Sequence, residues 1–135
     1  MPWLEMMHTV CFRPLVERAY GPWDDDQQRS FFETEVDDSD EILIVEHEDT
    51  EVGAIYLIYR DDETYLESLE VHPDYQCQGI GSTVLQWIAD RAKNVGQSVV
   101  LQVHKLNDDA RRLYVRNGFV EEGQTPTHIV MRRTA

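Results

Sequence analysis

The sequence predicts an α/β fold in which a mostly antiparallel sheet is covered by helices on both faces. Three segments rich in β-forming residues, 42–45, 52–59 and 64–71, are separated only by short polar turns, which favours antiparallel neighbours. A glycine loop and a helical segment follow, and then a strand, a helix and a terminal hairpin. Because the 135 residues contain no repeat or long linker, we expect a single domain over 1–135.

The N-terminal part of the chain predicts two helices. Residues 2–20 carry apolar side chains at helical spacing, and Pro14 should break or restart this helix because proline lacks an amide hydrogen. Gly21-Pro22 marks its end. A second helix should begin at the three acids 24–26 and run to about residue 36, since acids complement the positive end of the helix dipole.

The middle of the chain combines a strand, a glycine loop and a helix. The strand 66–71 ends before Pro73, and apolar residues recur at helical spacing over 82–95. Gly79 and Gly81 let the backbone turn tightly, and the helix N-terminus offers unpaired N–H groups to an anion. The loop lacks the lysine of a Walker A motif and the third glycine of a dinucleotide-binding fingerprint, so neither of those phosphate sites fits.

The C-terminal third predicts three further strands and one helix. Residues 98–104 are strongly β-forming, and Asn107 can cap a helix that closes at Gly118. Segments 119–122 and 127–131 should then pair as a hairpin.

The charge and the cysteines exclude several classes of function. The chain has 26 acidic against 12 basic residues and a net charge of −14, which argues against binding nucleic acids or anionic membranes. It shows neither a membrane-spanning apolar run nor a signal-peptide pattern. Cys11 and Cys77 form no metal-ligand pair, so we expect no metal and a cytoplasmic protein with reduced thiols.

Lysine is scarce in this acidic chain, since only Lys93 and Lys105 are present. Excess acid with few lysines resembles the proteins of salt-loving organisms. An acidic enzyme that prefers cationic substrates would explain the charge equally well.

Two sequence motifs lie on either side of the strand predicted at 98–104. The first reads Leu-x-Val-x-Pro-x-Tyr over 69–75 and continues as Gln-x-x-Gly-x-Gly over 76–81. The second reads Asn-x-x-Ala-x-x-x-Tyr over 107–114 and is followed by Gly-Phe at 118–119. Together, and in this order, they resemble the motifs of the GCN5-related N-acetyltransferase (GNAT) family.

The resemblance implies a GNAT-type twisted sheet that splays between the fourth and fifth family strands, where acetyl-CoA inserts as co-substrate. It implies cofactor contacts from the strand backbone, the glycine loop and the following helix cap, at Leu69, Val71, Gln76, Cys77, Gln78, Gly79, Ile80, Gly81 and Asn107. The usual first family strand is not expected in this sequence, because the chain opens with a helical pattern; either the protein lacks that strand or the start of this sequence omits it. The sheet edge 42–45 should therefore be exposed or paired with another chain, as in a homodimer.

The resemblance also implies transfer of the acetyl group to a primary amine by direct attack on the thioester. Glu67 is the best candidate for the general base, with Glu70, expected on the opposite face of the strand, or water as alternatives. Tyr114 would protonate the leaving thiolate, and a strand amide such as that of Val71 would stabilise the oxyanion.

The acceptor and even catalysis itself stay open at this stage. The acceptor is a small molecule, a protein N-terminus or a lysine side chain, and segments 1–36 and 121–128 should shape its pocket. A non-catalytic acetyl-CoA-binding or regulatory module on the same fold is the alternative function.

Overall fold

The computed structural model describes residues 2–135 as four α-helices, six strands and one short 3-10 turn. The helices are α1 (Pro2–Tyr20), α2 (Asp25–Asp38), α3 (Ile80–Asn94) and α4 (Asp108–Arg116). The strands are β1 (Glu41–His47), β2 (Thr50–Tyr59), β3 (Glu63–Val71), β4 (Ser98–His104), β5 (Val120–Gln124) and β6 (His128–Arg133). The 3-10 turn, Pro73–Tyr75, follows β3 directly.

The strands form one sheet in the order β1-β2-β3-β4-β6-β5. β1, β2 and β3 are antiparallel neighbours, as their short connections predict, and β6 inserts antiparallel between β4 and β5. β3 and β4 are parallel, because α3 connects them across one face of the sheet. The predicted mixed, mostly antiparallel sheet is thus confirmed.

Helices cover both faces of the sheet and create two apolar clusters. β2 supplies both of them through alternation, with Ile55 and Leu57 in the larger cluster and Ala54 and Tyr56 in the smaller one. The larger cluster contains the buried face of α3, and the smaller one packs around Phe32 of α2 and apolar residues of α1. The sheet is therefore packed against helices on both of its faces.

The predicted break at Pro14 is wrong, because α1 is continuous from Pro2 to Tyr20. The helix buries Met7 and His8 and packs against β2 and β3. These tertiary contacts hold α1 in one piece although Pro14 cannot donate its amide hydrogen bond.

Two bulges interrupt the strand pairing. β2 has one extra residue, Val52, opposite β1 and next to Gly53. β3 has an extra residue, Glu67, between Leu66 and Ser68, which pair with neighbouring residues of β2. A bulge bends its strand and disturbs the alternation of side chains, so this second one bears on the site described below.

β1 lies at the edge of the sheet, and within residues 2–135 no strand pairs with its outer side. The described residues open with α1, and no strand precedes it among them. None of the helices in residues 2–135 is long and apolar enough to cross a membrane.

We predict that salt stabilises this fold. The acidic clusters at the start of α2 and in the turns, at 24–26, 48–49 and 61–62, are exposed. Their mutual repulsion should fade as the Debye length falls from about 10 Å at 0.1 M to about 3 Å at 1 M. The melting temperature should therefore rise when the KCl concentration is increased from about 0.1 M to about 3 M. A flat or falling midpoint would contradict this prediction.

Candidate active site

β3 and β4 separate halfway along their length. Their pairing runs only from Glu63–Ser98 to Leu66–Leu101, although β3 continues to Val71 and β4 to His104. The bulge at Glu67 comes directly after Leu66, the last residue of β3 that pairs with β4, and bends that strand. This strand gap, lined by 67–71 and 102–104, leaves backbone groups free of a sheet partner on the facing edges.

The predicted backbone contacts Leu69 and Val71 lie along this strand gap. The carbonyl oxygen of Val71 already accepts a hydrogen bond from Gln76 Nε2 at 2.8 Å and contacts Cys11 Sγ at 3.4 Å. Leu69 also lines the large cavity beside the strand gap.

The glycine loop presents the N-terminus of α3. Gly79 caps the helix with φ of 82° and offers no side chain, so the amides of the first turn have no side-chain partner there. Cys77 is exposed and also has a positive φ of 62°. No acid occupies the first turn of α3. This arrangement suits an anion, because the dipole and the amides act together.

The two loop glutamines brace the loop itself. Gln76 reaches back to Val71, and Gln78 Nε2 donates to the carbonyl oxygen of Asp74 at 3.3 Å. The side chains therefore fix the backbone path of the loop, while the neighbouring Ile80 is buried in the domain.

Gly81 has a packing role that the sequence did not reveal. A Cβ atom at this position would lie 3.0 Å from Cδ2 of Leu113 on α4. Asn117 at the end of α4 also donates from Nδ2 to Ser82 Oγ at 3.0 Å. α4 thus holds the first turn of α3 in place, and with it the amides of that turn.

α4 positions Asn107 and Tyr114, the two site candidates of the second motif. Asn107 caps the helix, as predicted, because its Oδ1 accepts the amide of Ala110 at 3.2 Å. Tyr114 is 8% exposed and contacts Phe119 edge-on. Burial raises the pKa of Tyr114 to about 12, so its hydroxyl stays protonated at neutral pH.

A groove of about 440 Å³ joins the strand gap to the space between α1 and α2. Asn107 and Tyr114 line it together with strand residues on both sides of the gap. Its outer wall is apolar and comes from the helices, through Phe12, Leu15, Val16 and Phe31. Both segments that were predicted to shape the acceptor pocket, 1–36 and 121–128, contribute to this lining. The first contributes several side chains between His8 and Glu35, and the second contributes His128.

The charged residues of the groove are acidic. Glu35 and Glu67 line it, and no lysine or arginine does among the described residues. Burial and the charge of Asp38 raise the pKa of Glu67, while Arg60 opposes them. Burial also raises the pKa of Glu35 to about 7, and His8 opposes this shift. The groove therefore favours a cation over an anion.

The expectation that Glu67 and Glu70 face opposite sides is wrong. It assumed regular alternation, which the bulge at Glu67 interrupts. Glu70 Oε2 lies 3.5 Å from His8 Nδ1 on α1. Glu67 lines the groove together with His8 and Glu35, so both carboxylates lie on the side of the sheet that α1 and α2 cover. Glu70 is 1% exposed and receives a hydrogen bond from Ser68 Oγ at 3.0 Å. Only Glu67 of the two lines the groove.

Several groove residues were not selected from the sequence, among them His8, Glu35, Tyr20, His104 and His128. His104 Nδ1 accepts the amide of Leu106 at 3.1 Å, so its neutral ring carries the proton on Nε2 and donates it to the Tyr20 hydroxyl at 2.8 Å. Burial lowers the pKa of both His104 and His128, which keeps this end of the groove neutral. Helical and strand periodicity gave no signal for these residues, because they come from four separate elements.

Comparison with known structures finds the same fold repeatedly. PaiA N-acetyltransferase from Thermoplasma acidophilum, solved with coenzyme A, is 21% identical with a TM-score of 0.79, covering 98% of this chain and 91% of that one. The ribosomal-protein-S18-alanine N-acetyltransferase from Escherichia coli is 21% identical with a TM-score of 0.69 over 98% and 86%. A GNAT acetyltransferase from Elizabethkingia anophelis with acetyl-CoA bound is 17% identical with a TM-score of 0.69 over 87% and 94%.

At these identities the structural likeness shows the fold alone, and a search of curated proteins finds no match to the sequence. The family itself follows from the sequence, because residues 7–119 match the sequence model of the Acetyltransferase (GNAT) family. This match includes both motifs, the strand gap and most of the groove. The chain therefore belongs to the GNAT acetyltransferase family.

Proposed function

We propose that this protein is an N-acetyltransferase that moves an acetyl group from acetyl-CoA to a primary amine. One observation carries the proposal: a single groove connects the strand gap and Tyr114 with the acids Glu35 and Glu67, without a lysine or arginine in its described lining. A thioester at the strand gap and an ammonium group near the acids would share this groove. The acid-lined end favours an amine acceptor by charge complementarity.

The strand gap and the glycine loop support acetyl-CoA as the co-substrate. The free edge of β3 at 67–71 suits an amide-bearing chain such as pantetheine, which can bond to strand backbone. The uncapped start of α3 at Gly79 suits the pyrophosphate. Cys77, Gln78, Ile80 and Gly81 would surround that group through their backbone, and Asn107 would contact the cofactor from α4.

The reaction needs three proton transfers. Glu67 would remove a proton from the acceptor ammonium, and the neutral nitrogen would then attack the thioester carbon. A strand amide would stabilise the negative oxygen of the tetrahedral intermediate. When the C–S bond breaks, Tyr114 would donate its proton to the thiolate. The attacking nitrogen would then give up its second proton, which restores the Tyr114 hydroxyl and leaves coenzyme A and an acetamide.

The acceptor should carry a primary amine next to an apolar portion. The apolar wall of Phe12, Leu15 and Val16 would contact the apolar portion, and the acids would attract the amine. A small amine, a protein N-terminus and a lysine side chain all meet this description. The neighbour from Escherichia coli acts on a protein alanine, as its name states.

An acceptor screen tests the proposed function. Purified protein would be incubated with acetyl-CoA and separate sets of small amines, N-terminal peptides and lysine peptides. Thiol release that depends on one set, with a mass increase of the acceptor, would support the transferase. Tight acetyl-CoA binding without turnover of any set would favour the non-catalytic binding module.

We predict that Gly81→Ala weakens acetyl-CoA binding by about tenfold, or ~1.4 kcal/mol. The new Cβ would press on Leu113 and displace the first turn of α3 with its amides. Calorimetry measures the affinity, and circular dichroism checks the fold. The double variant Gly81→Ala/Leu113→Ala removes this contact and should recover most of the affinity. Unchanged affinity in a folded Gly81→Ala protein would argue against the loop as the pyrophosphate site.

We predict that Tyr114→Phe lowers kcat by about 10²–10⁴-fold, because the variant loses only the proton donor. The KM for acetyl-CoA should change little, since the ring and its contact with Phe119 remain. Tyr59→Phe, at a tyrosine outside the groove, is the matched control and should keep its kcat. A Tyr114→Phe enzyme with the kcat of the wild type would exclude the hydroxyl as the acid.

We predict that the acid limb of the kcat/KM profile lies above the ordinary glutamate range near about 4.3. Burial raises the pKa of Glu67, and a base is active only when deprotonated, so activity should fall as the pH falls through this raised value. Glu67→Gln should lower kcat/KM and remove this limb, whereas Glu51→Gln on the surface should retain it. A limb that persists in Glu67→Gln would assign proton removal to another group.

A further inference from the structure

A polar cluster lies where α1, α2 and β3 meet beside the groove. His8, Glu35 and Glu70 each come from one of these elements. His8 Nδ1 lies 3.6 Å from Glu35 Oε2 and 3.5 Å from Glu70 Oε2. Each of the three side chains offers one atom that could bind a metal ion, and these three atoms all lie within 4.8 Å of one another. This is the His8–Glu35–Glu70 cluster.

The cluster is buried, and its polar atoms lack partners. His8 is 6% and Glu70 1% exposed, so both are more than nine-tenths buried. Both ring nitrogens of His8, Glu35 Oε2, Glu70 Oε1 and the nearby Tyr56 hydroxyl form no hydrogen bond. Buried polar atoms in proteins almost always have a partner, so this concentration of unpaired atoms indicates a missing one.

The cluster has only one group that can carry a positive charge, His8. Burial lowers the pKa of His8, but the neighbouring acids, Glu70 first, raise it above its ordinary value. Two carboxylates face one imidazole, and no lysine or arginine among the described residues lines the adjoining groove. The hydrogen bond from Ser68 to Glu70 brings no charge to balance them. A divalent cation would neutralise the two carboxylates and use the imidazole as a neutral ligand.

Two of the three separations between ligand atoms fit a metal ion. A tetrahedral Zn²⁺ ion with ligands at about 2.0–2.1 Å sets neighbouring ligand atoms roughly 3.3–3.4 Å apart. The two measured separations from His8 Nδ1, 3.5 and 3.6 Å, are close to this value. Imidazole and carboxylate are ligands that zinc and other first-row divalent ions accept.

We propose that His8, Glu35 and Glu70 bind one divalent transition-metal ion of the Zn²⁺ type. His8 and Glu35 line the groove, so the fourth coordination position would be open to water from the groove. The ion would link α1 and α2 to β3. It would also occupy Glu35, which leaves Glu67 as the free carboxylate in the groove. This proposal revises the expectation of no metal and does not depend on acetyl transfer.

The test measures metal binding directly. Protein stripped with a chelator would be titrated with Zn²⁺ by calorimetry, and with Co²⁺ by visible absorption, where tetrahedral sites give far more intense bands than octahedral ones. We expect one saturable site per chain, the intense Co²⁺ bands and a higher melting temperature with Zn²⁺. These readouts on the wild-type protein need neither a variant nor an acceptor.

Matched variants then locate the site. Glu70→Gln keeps the shape of the side chain and an acceptor for Ser68, and His8→Asn removes the imidazole. Both should lose the saturable site, while the double variant His47→Gln/Glu48→Gln in the turn between β1 and β2 should keep it. Absence of one saturable site in the wild type, octahedral Co²⁺ spectra, or unchanged binding in a folded Glu70→Gln protein would overturn the proposal.

Discussion

The separation of β3 from β4 is the feature on which the site depends. Each strand keeps a full partner on its other side, since β3 pairs with β2 up to Val71 and β4 pairs with β6 up to His104. The two strands can therefore diverge after Leu66 and Leu101 without losing their places in the sheet. The extra residue Glu67 sets the point of divergence, because a bulge bends only the strand that contains it.

Close packing at two glycines positions elements beside this opening. A Cβ atom at Gly53 would lie 2.1 Å from the carbonyl oxygen of Glu70, so β2 approaches β3 more closely there than any side chain permits. A Cβ atom at Gly81 would lie 3.0 Å from the side chain of Leu113, so Gly81 allows α3 to approach α4 closely. One glycine thus positions the strand beside the opening, and the other positions the start of α3. Both act through packing within the protein.

The order of elements was predictable because it depends on local signals. Short polar turns, the glycine loop and the Asn107 cap each act within a few residues, and the structure contains all of them. The continuous helix across Pro14 was not predictable, since distant packing outweighs the local penalty. The bulge at Glu67 carries no glycine or other local signal, and the wrong assignment of Glu70 to the opposite face followed from it.

Glu35 was missed for a related reason. It lies in α2 among exposed acids such as Glu33 and Asp37, and in the sequence it looks like one of them. Only the packing of α2 against α1 and β2 places its carboxylate in the groove, where burial raises its pKa to about 7. The acidic composition of the chain therefore indicates the charge of its surface but not which acids lie in the groove.

This difference between surface and groove separates two effects of the acidic composition. Exposed acids act over long distances, and salt at about 1 M shortens the Debye length to about 3 Å and removes most of that effect. Glu67 is partly buried in the groove, where screening by salt is much weaker. In the proposed function, attraction of a cationic amine by Glu67 should thus persist in high salt, although long-range steering by the −14 net charge is lost. Selectivity for the proposed acceptor would consequently depend on this carboxylate and on the apolar helix wall beside it.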